Sequence, residues 1–157
     1  GRRALLLGAG GAARAAAFAL LDADVDALLI VNRNTSRAQS LCTDLQMPER
    51  VRSAAWSELA DVGAFDLLIN ATAAGHDHRD LALPPTLPGA DSVCYDLSYG
   101  AAAQPFLRWA HLASAAHVLD GLGMLVEQAA ESHALWFGRV PQTAAIYDEL
   151  RAGLTPG

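Results

Sequence analysis

Short apolar runs alternate along the chain with longer stretches in which alanine and polar residues mix. A short continuous apolar run is typical of a strand that is covered on both faces, and the longer stretches are typical of helices. The pattern predicts strands at Ala4–Gly8, Ala27–Asn32, Val51–Trp56, Phe65–Asn70, Ser92–Leu97 and His117–Leu119. It predicts helices at Ala12–Leu21, Thr35–Leu45, Gln104–Ser114, Leu122–Phe137 and Gln142–Ala152, one helical turn at Ser57–Ala60 and a loop at Ala71–Gly89.

The alternation of strands and helices predicts the class of the fold. Strands that are separated by helices form parallel sheets with right-handed crossovers, and the helices cover both faces. We therefore expect one α/β domain over residues 1–157, built as a doubly wound parallel sheet in three α/β/α layers. Ligands of such sheets bind at the carboxyl ends of the strands, near the point where the strand order reverses.

Composition excludes several classes of protein. With 157 residues, 52% of them apolar and 18% charged, the chain can bury a core and is neither disordered nor fibrous. Its net charge of −6 disfavours a nucleic-acid partner. No apolar run reaches the ~18 residues of a membrane span, and the start does not resemble a signal peptide. We expect no membrane partner and a cytoplasmic location, in which both cysteines stay buried thiols.

The first predicted strand ends at Gly8, and two more glycines follow it in the segment GAGGAA. The pattern Gly8-x-Gly10-x-x-Ala13 is typical of a dinucleotide site between a strand and a helix. Gly8 would permit a tight turn, Gly10 would let a pyrophosphate approach the backbone, and Ala13 would let the helix lie close to the strand. The helix N-terminus offers free N–H groups and partial positive charge to the anion. The alternative is a glycine-capped helix that binds nothing.

The end of the second strand indicates which dinucleotide would bind. Sites for NAD carry a carboxylate there, whereas this chain has Arg33 and Arg37 and no acidic residue between Asn32 and Arg37. A guanidinium can grip a 2′-phosphate and stack on adenine, so the segment favours NADP, unless both arginines are merely solvated. The missing carboxylate also disfavours a methyltransferase. The next helix begins here, with Asn34 or Thr35 as its cap.

Five segments together resemble the C-terminal, NADP-binding half of shikimate dehydrogenase: GAGGAAR, VNRNTSRA, INATAAG, YDLSYGAAAQPFLRWA and DGLGMLVEQAA. The resemblance runs from Gly1 to about Pro141 and implies a Rossmann-type fold. Members of that family reversibly reduce 3-dehydroshikimate to shikimate with NADPH, in the pathway to aromatic amino acids. Their usual chain also has an N-terminal domain that binds substrate and carries a catalytic lysine and aspartate. Because this sequence contains no lysine, that catalytic lysine must lie elsewhere.

The resemblance implies roles for residues of this chain, none of them catalytic or metal-binding. NADP would contact Gly8, Ala9, Gly10, Gly11 and Ala12 at the pyrophosphate, Asn32, Arg33, Asn34 and Arg37 at the 2′-phosphate, Asn70, Ala71, Thr72 and Ala73 along its middle, and Leu97 and Gly121 at the nicotinamide. Shikimate or 3-dehydroshikimate would contact Tyr99 and Gln128. The family often has threonine at position 34, serine at 73 and methionine at 97, so these contacts differ in this chain.

Several alternatives stay open at this point. The chain is expected to be inactive alone, and it is then either half of a dehydrogenase or an NADP-binding module without chemistry. A paralogue that acts on quinate, or one that prefers NAD, is a further alternative within the family, although the missing carboxylate disfavours NAD. Tyr99 and Gln128 have a simpler interpretation as partly solvated side chains. The segment His76-Asp77-His78 contains residue types that bind metal ions, but it lies in a polar loop without a third ligand, so we predict no metal site there.

Overall fold

The computed structural model describes residues 1–73 and 81–154, and these form a sheet of six strands. Every pair of neighbouring strands is parallel, in the order β3-β2-β1-β4-β5-β6. The order reverses between β1 and β4, so the carboxyl ends of these strands lie at the switch point where ligands of such sheets bind. The strands are β1 (Arg3–Leu7), β2 (Ala27–Val31), β3 (Val51–Ala54), β4 (Phe65–Asn70), β5 (Pro88–Asp96) and β6 (His117–Leu119).

Helices cover both faces of the sheet. Within the described ranges they are α1 (Gly11–Asp22), α2 (Thr35–Leu45), α3 (Gln104–Leu112), α4 (Leu122–Phe137) and α5 (Ala144–Leu154), with single 3₁₀ turns at Trp56–Glu58 and Gly100–Ala102. Leu6 of β1 packs in one apolar cluster with Ala13 of α1 and Leu41 of α2. The next residue, Leu7, packs in a second cluster with Phe106 of α3. Because successive side chains of a strand point to opposite faces, the predicted three-layer α/β/α architecture is confirmed.

The predicted elements are confirmed in kind and order, but some boundaries are wrong. β5 begins at Pro88 rather than Ser92, because Pro88 pairs with Phe65 before the register shifts on the way to Leu67. Proline is tolerated as the first residue of a strand, where its missing N–H costs least. Trp56 lies in a 3₁₀ turn rather than in β3, and the last helix begins two residues later than predicted. The predicted loop after β4 falls partly outside the described residues.

The two cysteines differ in burial, which corrects the prediction that both are buried. Cys94 of β5 is fully buried, and burial raises the pKa of its thiol to about 12. Cys42 of α2 is only half-buried. The Cys94 thiol is therefore an inert part of the core.

Two polar side chains lie inside the apolar core, at the carboxyl ends of β4 and β5. Asn70 and Asp96 are each 1% exposed, and Asn70 Nδ2 donates a hydrogen bond to Asp96 Oδ2 at 2.7 Å. Asp96 Oδ1 accepts from the Ser98 amide at 2.7 Å, and Asn70 Oδ1 accepts from the Thr72 hydroxyl at 2.8 Å. Buried polar groups need such partners, because an unpaired one costs free energy on folding. The pair therefore fixes the segments that leave β4 and β5.

We expect Asp96→Asn to destabilise the fold by about 1–3 kcal/mol, because the new amide nitrogen faces one of two donors, Asn70 Nδ2 or the Ser98 N–H. Burial raises the pKa of Asp96, chiefly through lost solvation. A raised folded-state pKa means that the stability Asp96 contributes is complete below its unfolded pKa and is lost as pH rises through the folded pKa. Asparagine does not titrate, so the deficit of the variant should grow as pH falls from about 7 to about 4.

Denaturant unfolding of both proteins at the two pH values measures this deficit. The matched control is Asp91→Asn, which changes an exposed carboxylate on the same strand and should alter stability by less than about 0.5 kcal/mol. A deficit that is the same at both pH values would contradict the raised pKa of Asp96.

Candidate functional site

A cleft of about 470 Å³ opens at the carboxyl edge of the sheet, beside the switch point between β1 and β4. Segments that are far apart in the sequence meet there: those after β1, β2, β3 and β4, and residues 81 and 82. The lining residues are Gly8, Ala9, Gly10, Asn32, Arg33, Arg37, Trp56, Ala71, Thr72, Ala73, Leu81 and Ala82. The structure thus brings together most of the residues that the sequence assigns to a dinucleotide.

Gly8 forms the tight turn that the sequence predicts at the end of β1. Its φ is +114°, a conformation that side chains disfavour, and a Cβ atom there would lie 2.7 Å from the Ala71 carbonyl oxygen. Its N–H donates to the Val31 carbonyl at 2.8 Å. The main chain of β1 therefore passes very close to the segment after β4, and no residue with a side chain fits between them.

Gly10 and Gly11 border open space at the start of α1. Apart from the adjacent residues and the backbone of the helix itself, no described atom lies within 4 Å of a Cβ placed on either residue, and no side chain of the described residues caps the helix. The first-turn N–H groups of α1 are thus left without a side-chain acceptor, as an anion site requires. The φ of Gly10 is −91°, so a side chain would be excluded there by a ligand and not by the backbone. Ala12 follows in the first turn and is exposed.

The start of α2 presents two exposed arginines to the cleft, Arg33 and Arg37. No carboxylate within residues 1–73 and 81–154 forms an ion pair with either one. Asn34, rather than Thr35, caps the helix: its Oδ1 accepts from the Arg37 amide at 3.3 Å. Asn32 supports the same turn, since its Nδ2 donates to the Asn34 carbonyl at 3.0 Å. Because Asn34 Oδ1 serves the cap, the phosphate contact predicted for this side chain would have to come from its Nδ2 group.

Trp56 is a lining residue that sequence reasoning missed. It stands directly after β3, in the 3₁₀ turn, and its half-buried indole shares the cleft with Arg33 and Arg37. Its position at the end of the predicted strand Val51–Trp56 could have indicated this role, because parallel strands bring their carboxyl ends to one edge of the sheet. An aromatic face beside two guanidinium groups suits a planar ring such as adenine.

The ends of β5 and β6 lie further along the same edge of the sheet, outside the cleft lining. Gly121 donates its N–H to the Ser98 carbonyl at 2.8 Å, and a Cβ on Gly121 would lie 2.1 Å from the Leu97 carbonyl oxygen. The main chain of Leu97 therefore leaves no room for a side chain at position 121. Tyr99 starts the nearby 3₁₀ turn and is 42% exposed, and Gln128 is exposed on α4. These four residues remain predictions as ligand contacts.

The segment His76-Asp77-His78 lies outside the described residues. Elsewhere in the chain, over the ranges that the structure describes, no three His, Cys, Asp or Glu side chains gather closely enough to hold a metal ion. No helix in those ranges is both long and apolar enough to cross a bilayer.

Two family models match the chain. The model described as shikimate / quinate 5-dehydrogenase matches residues 1–78, and the one described as the shikimate 5′-dehydrogenase C-terminal domain matches residues 121–151. A curated protein from Xylella fastidiosa (strain M12), named shikimate dehydrogenase (NADP(+)), is 53% identical over 154 residues, which are 97% of this chain and 55% of that protein. The chain therefore spans about half the length of the curated relatives it matches.

Solved structures agree with the sequence comparisons. A crystal structure of an Ael1 enzyme from Pseudomonas putida superimposes with a TM-score of 0.86 at 41% identity, over 95% of this chain and 54% of that one. Shikimate 5-dehydrogenase from Thermus thermophilus, solved in complex with shikimate, gives a TM-score of 0.75 at 33% identity, over 96% and 54% of the two chains. The motifs, the sheet and these matches agree, and the chain belongs to the shikimate dehydrogenase family.

Proposed function

We propose that this chain is the NADP-binding half of a shikimate dehydrogenase-like oxidoreductase, which reduces 3-dehydroshikimate to shikimate with NADPH. The observation that carries the proposal is the cleft at the switch point, where the glycine turn, two arginines and the end of β4 meet. Relatives that match 97% of this chain are named as NADP(+)-linked shikimate dehydrogenases, which supports the choice of cofactor. Quinate is the second candidate substrate, because the family model over residues 1–78 covers both activities.

The residues present fit a dinucleotide laid along the edge of the sheet. The open space at Gly10 and Gly11 and the uncapped start of α1 suit a pyrophosphate. The strand order indicates where the other parts of the cofactor would lie. The end of β2 lies on one side of β1, and the ends of β4, β5 and β6 follow on the other side. Adenosine would lie over β2, the middle of the cofactor over Asn70–Ala73, and nicotinamide toward Leu97 and Gly121.

The end of β2 supports NADP rather than NAD. Arg33 and Arg37 supply guanidinium groups that can bind a 2′-phosphate, and Asn32 adds an amide at the same place. The segment offers no carboxylate to accept hydrogen bonds from a free 2′-hydroxyl. Trp56 would lie against the adenine ring. The methyltransferase alternative needs that missing carboxylate, and nothing in the cleft favours it.

Bound NADPH supplies the hydride for the reaction. The residues of this chain bind and orient: the backbone of Gly121 and the Leu97 side chain would face the nicotinamide, and Tyr99 and Gln128 would hold polar groups of the substrate. A proton must move with the hydride, and a positioned acid–base group usually contributes about 10²–10⁴-fold. Since the chain contains no lysine, we propose that this group belongs to a second, substrate-binding domain.

An exposed apolar patch at the end of α4 supports a second domain. The patch consists of Leu135, Trp136, Phe137 and Val140, which are 84%, 77%, 65% and 72% exposed. Adjacent large apolar side chains seldom face water in a monomer unless they mark an interaction surface. The chain also covers only about half of its relatives. We propose that the substrate-binding domain packs on this patch.

We predict that the chain binds NADPH about ten- to a hundredfold more tightly than NADH, because a charge-assisted contact contributes about 1.5–3 kcal/mol. Arg33→Ala and Arg37→Ala should each reduce this preference. Calorimetric titration with both cofactors measures it. Arg52→Ala is the control, since it removes the same charge from an exposed residue in the middle of β3 that does not line the cleft. Equal affinities for the two cofactors in the wild-type chain would overturn the role of the arginines.

We predict that Gly10→Val abolishes NADPH binding and leaves the fold intact. The extended backbone at Gly10 accepts valine, and no described atom lies near the new Cβ, so the side chain would fill space that the pyrophosphate needs. Calorimetry and circular dichroism report the two properties. Ala15→Val places the same isopropyl side chain at an exposed position of α1 outside the cleft and should bind normally. Normal binding by Gly10→Val would mean that the glycine turn only caps the helix.

We predict that the purified 157-residue chain oxidises neither shikimate nor quinate with NADP⁺ above background. It can hold a hydride acceptor but supplies neither the acid–base group nor the other wall of the substrate site. Absorbance of NADPH at saturating substrate measures the reaction. Steady NADPH formation that disappears in Gly10→Val would show instead that the proton-transfer group lies within this chain.

A further inference from the structure

One ion pair joins the last helix to the carboxyl edge of the sheet. Arg151 of α5 donates two hydrogen bonds to the Asp120 carboxylate, from Nη1 to Oδ2 at 2.7 Å and from Nη2 to Oδ1 at 2.6 Å. The Tyr147 hydroxyl lies 2.9 Å from Arg151 Nη2 and supports the guanidinium. The Asp120 side chain is only 5% exposed, so the ion pair is partly buried. Its two parallel hydrogen bonds also give it a fixed geometry, unlike an ordinary surface ion pair.

Asp120 also holds the backbone around it. Its Oδ1 accepts from the Leu122 amide at 3.2 Å, which fixes the turn that contains Gly121. Gly121 in turn donates its N–H to the Ser98 carbonyl at 2.8 Å, directly before Tyr99. One carboxylate thus joins the start of α4 to the last helix, and the turn that it holds is bonded to the segment after β5. The hydrogen bonds from Arg151 lower the pKa of Asp120, so it stays ionised at neutral pH.

The last helix contacts the same segments directly. A Cβ on Gly100 would lie 3.3 Å from Leu154 Cδ2, and a Cβ on Gly123 would lie 3.9 Å from the Tyr147 ring. α5 therefore lies over the Tyr99–Gly100 segment and the first turn of α4. The hydrogen bonds that join Arg151, Asp120, Tyr147 and Leu122 all lie away from the residues that line the cleft at the ends of β1 and β2.

We propose that Arg151 and Asp120 are positioning residues for the nicotinamide side of the site. Arg151 orients the Asp120 carboxylate, and Asp120 in turn fixes the turn at Gly121, which is bonded to Ser98 directly before Tyr99. The inference rests on the proposed function, which places nicotinamide and substrate at these residues. Removal of Arg151 leaves a largely buried carboxylate without its cation, so this turn must rearrange. The adenosine side, at Arg33 and Arg37, lies outside these hydrogen bonds and keeps its geometry.

Two probes separate the halves of the site: NADP⁺, and 2′-phospho-ADP-ribose, which is NADP⁺ without its nicotinamide. Calorimetric titrations compare the wild-type chain, Arg151→Leu and the control Arg108→Leu, which alters an exposed arginine on α3 with no ion-pair partner in the described ranges. Arg151→Leu should weaken NADP⁺ binding by about tenfold or more and change 2′-phospho-ADP-ribose binding by less than about twofold. Arg108→Leu should bind both probes as the wild type does.

A milder variant keeps the test usable if Arg151→Leu fails to fold by circular dichroism. Asp120→Asn retains an acceptor for the Leu122 amide and removes the charge, and it should show the same selective loss to a smaller degree. Equal weakening of both probes, or unchanged affinity for both, would overturn the positioning role. A wild-type chain that binds neither probe would overturn the proposed function itself, and the inference with it.

Discussion

Close main-chain contact at the carboxyl ends of the strands is the constraint on which the site depends. Two glycines permit it, for different reasons. Gly8 has a positive φ and faces the Ala71 carbonyl, so both conformation and space exclude a side chain there. Gly121 has an ordinary φ of −76°, and only the nearness of the Leu97 carbonyl excludes a Cβ. Without these contacts, the segments after β4, β5 and β6 could not lie side by side and form one continuous edge.

Buried polar groups give that edge its specific geometry. An apolar core alone tolerates small slips between strands, whereas the Asn70–Asp96 pair satisfies its donors and acceptors in one arrangement only. The pair joins the ends of β4 and β5, and its outer hydrogen bonds reach Thr72, which lines the cleft, and Ser98, whose carbonyl accepts from Gly121. A single hydrogen-bonded chain thus runs from the cleft toward the proposed nicotinamide side.

The sequence predicted well what local pattern determines. Apolar runs and turn residues gave the strands and helices in their order, and the turn at Gly8 followed from its position after β1. Features that depend on pairing in three dimensions were missed. The early start of β5 needs the register with β4, and the predicted strand Ser92–Leu97 alone does not show that Asp96 accepts a hydrogen bond from Asn70 of β4. Arg151 is 31 residues from Asp120, and nothing in either segment alone indicates the other.

The two sides of the proposed site are built in different ways, and this bears on how each side would hold its part of the cofactor. The adenosine side is local: Asn32, Asn34 and Arg37 organise one strand-to-helix turn through hydrogen bonds two or three residues apart. The positive electrostatic potential of this side is also local, because Arg33 and Arg37 line the cleft on a chain whose net charge is −6. The nicotinamide side instead depends on contacts between distant segments and on α5. Under the proposed function, the adenosine side would anchor the cofactor through one local turn, whereas the orientation of the nicotinamide would depend on the contacts between the segments after β5 and β6 and on α5.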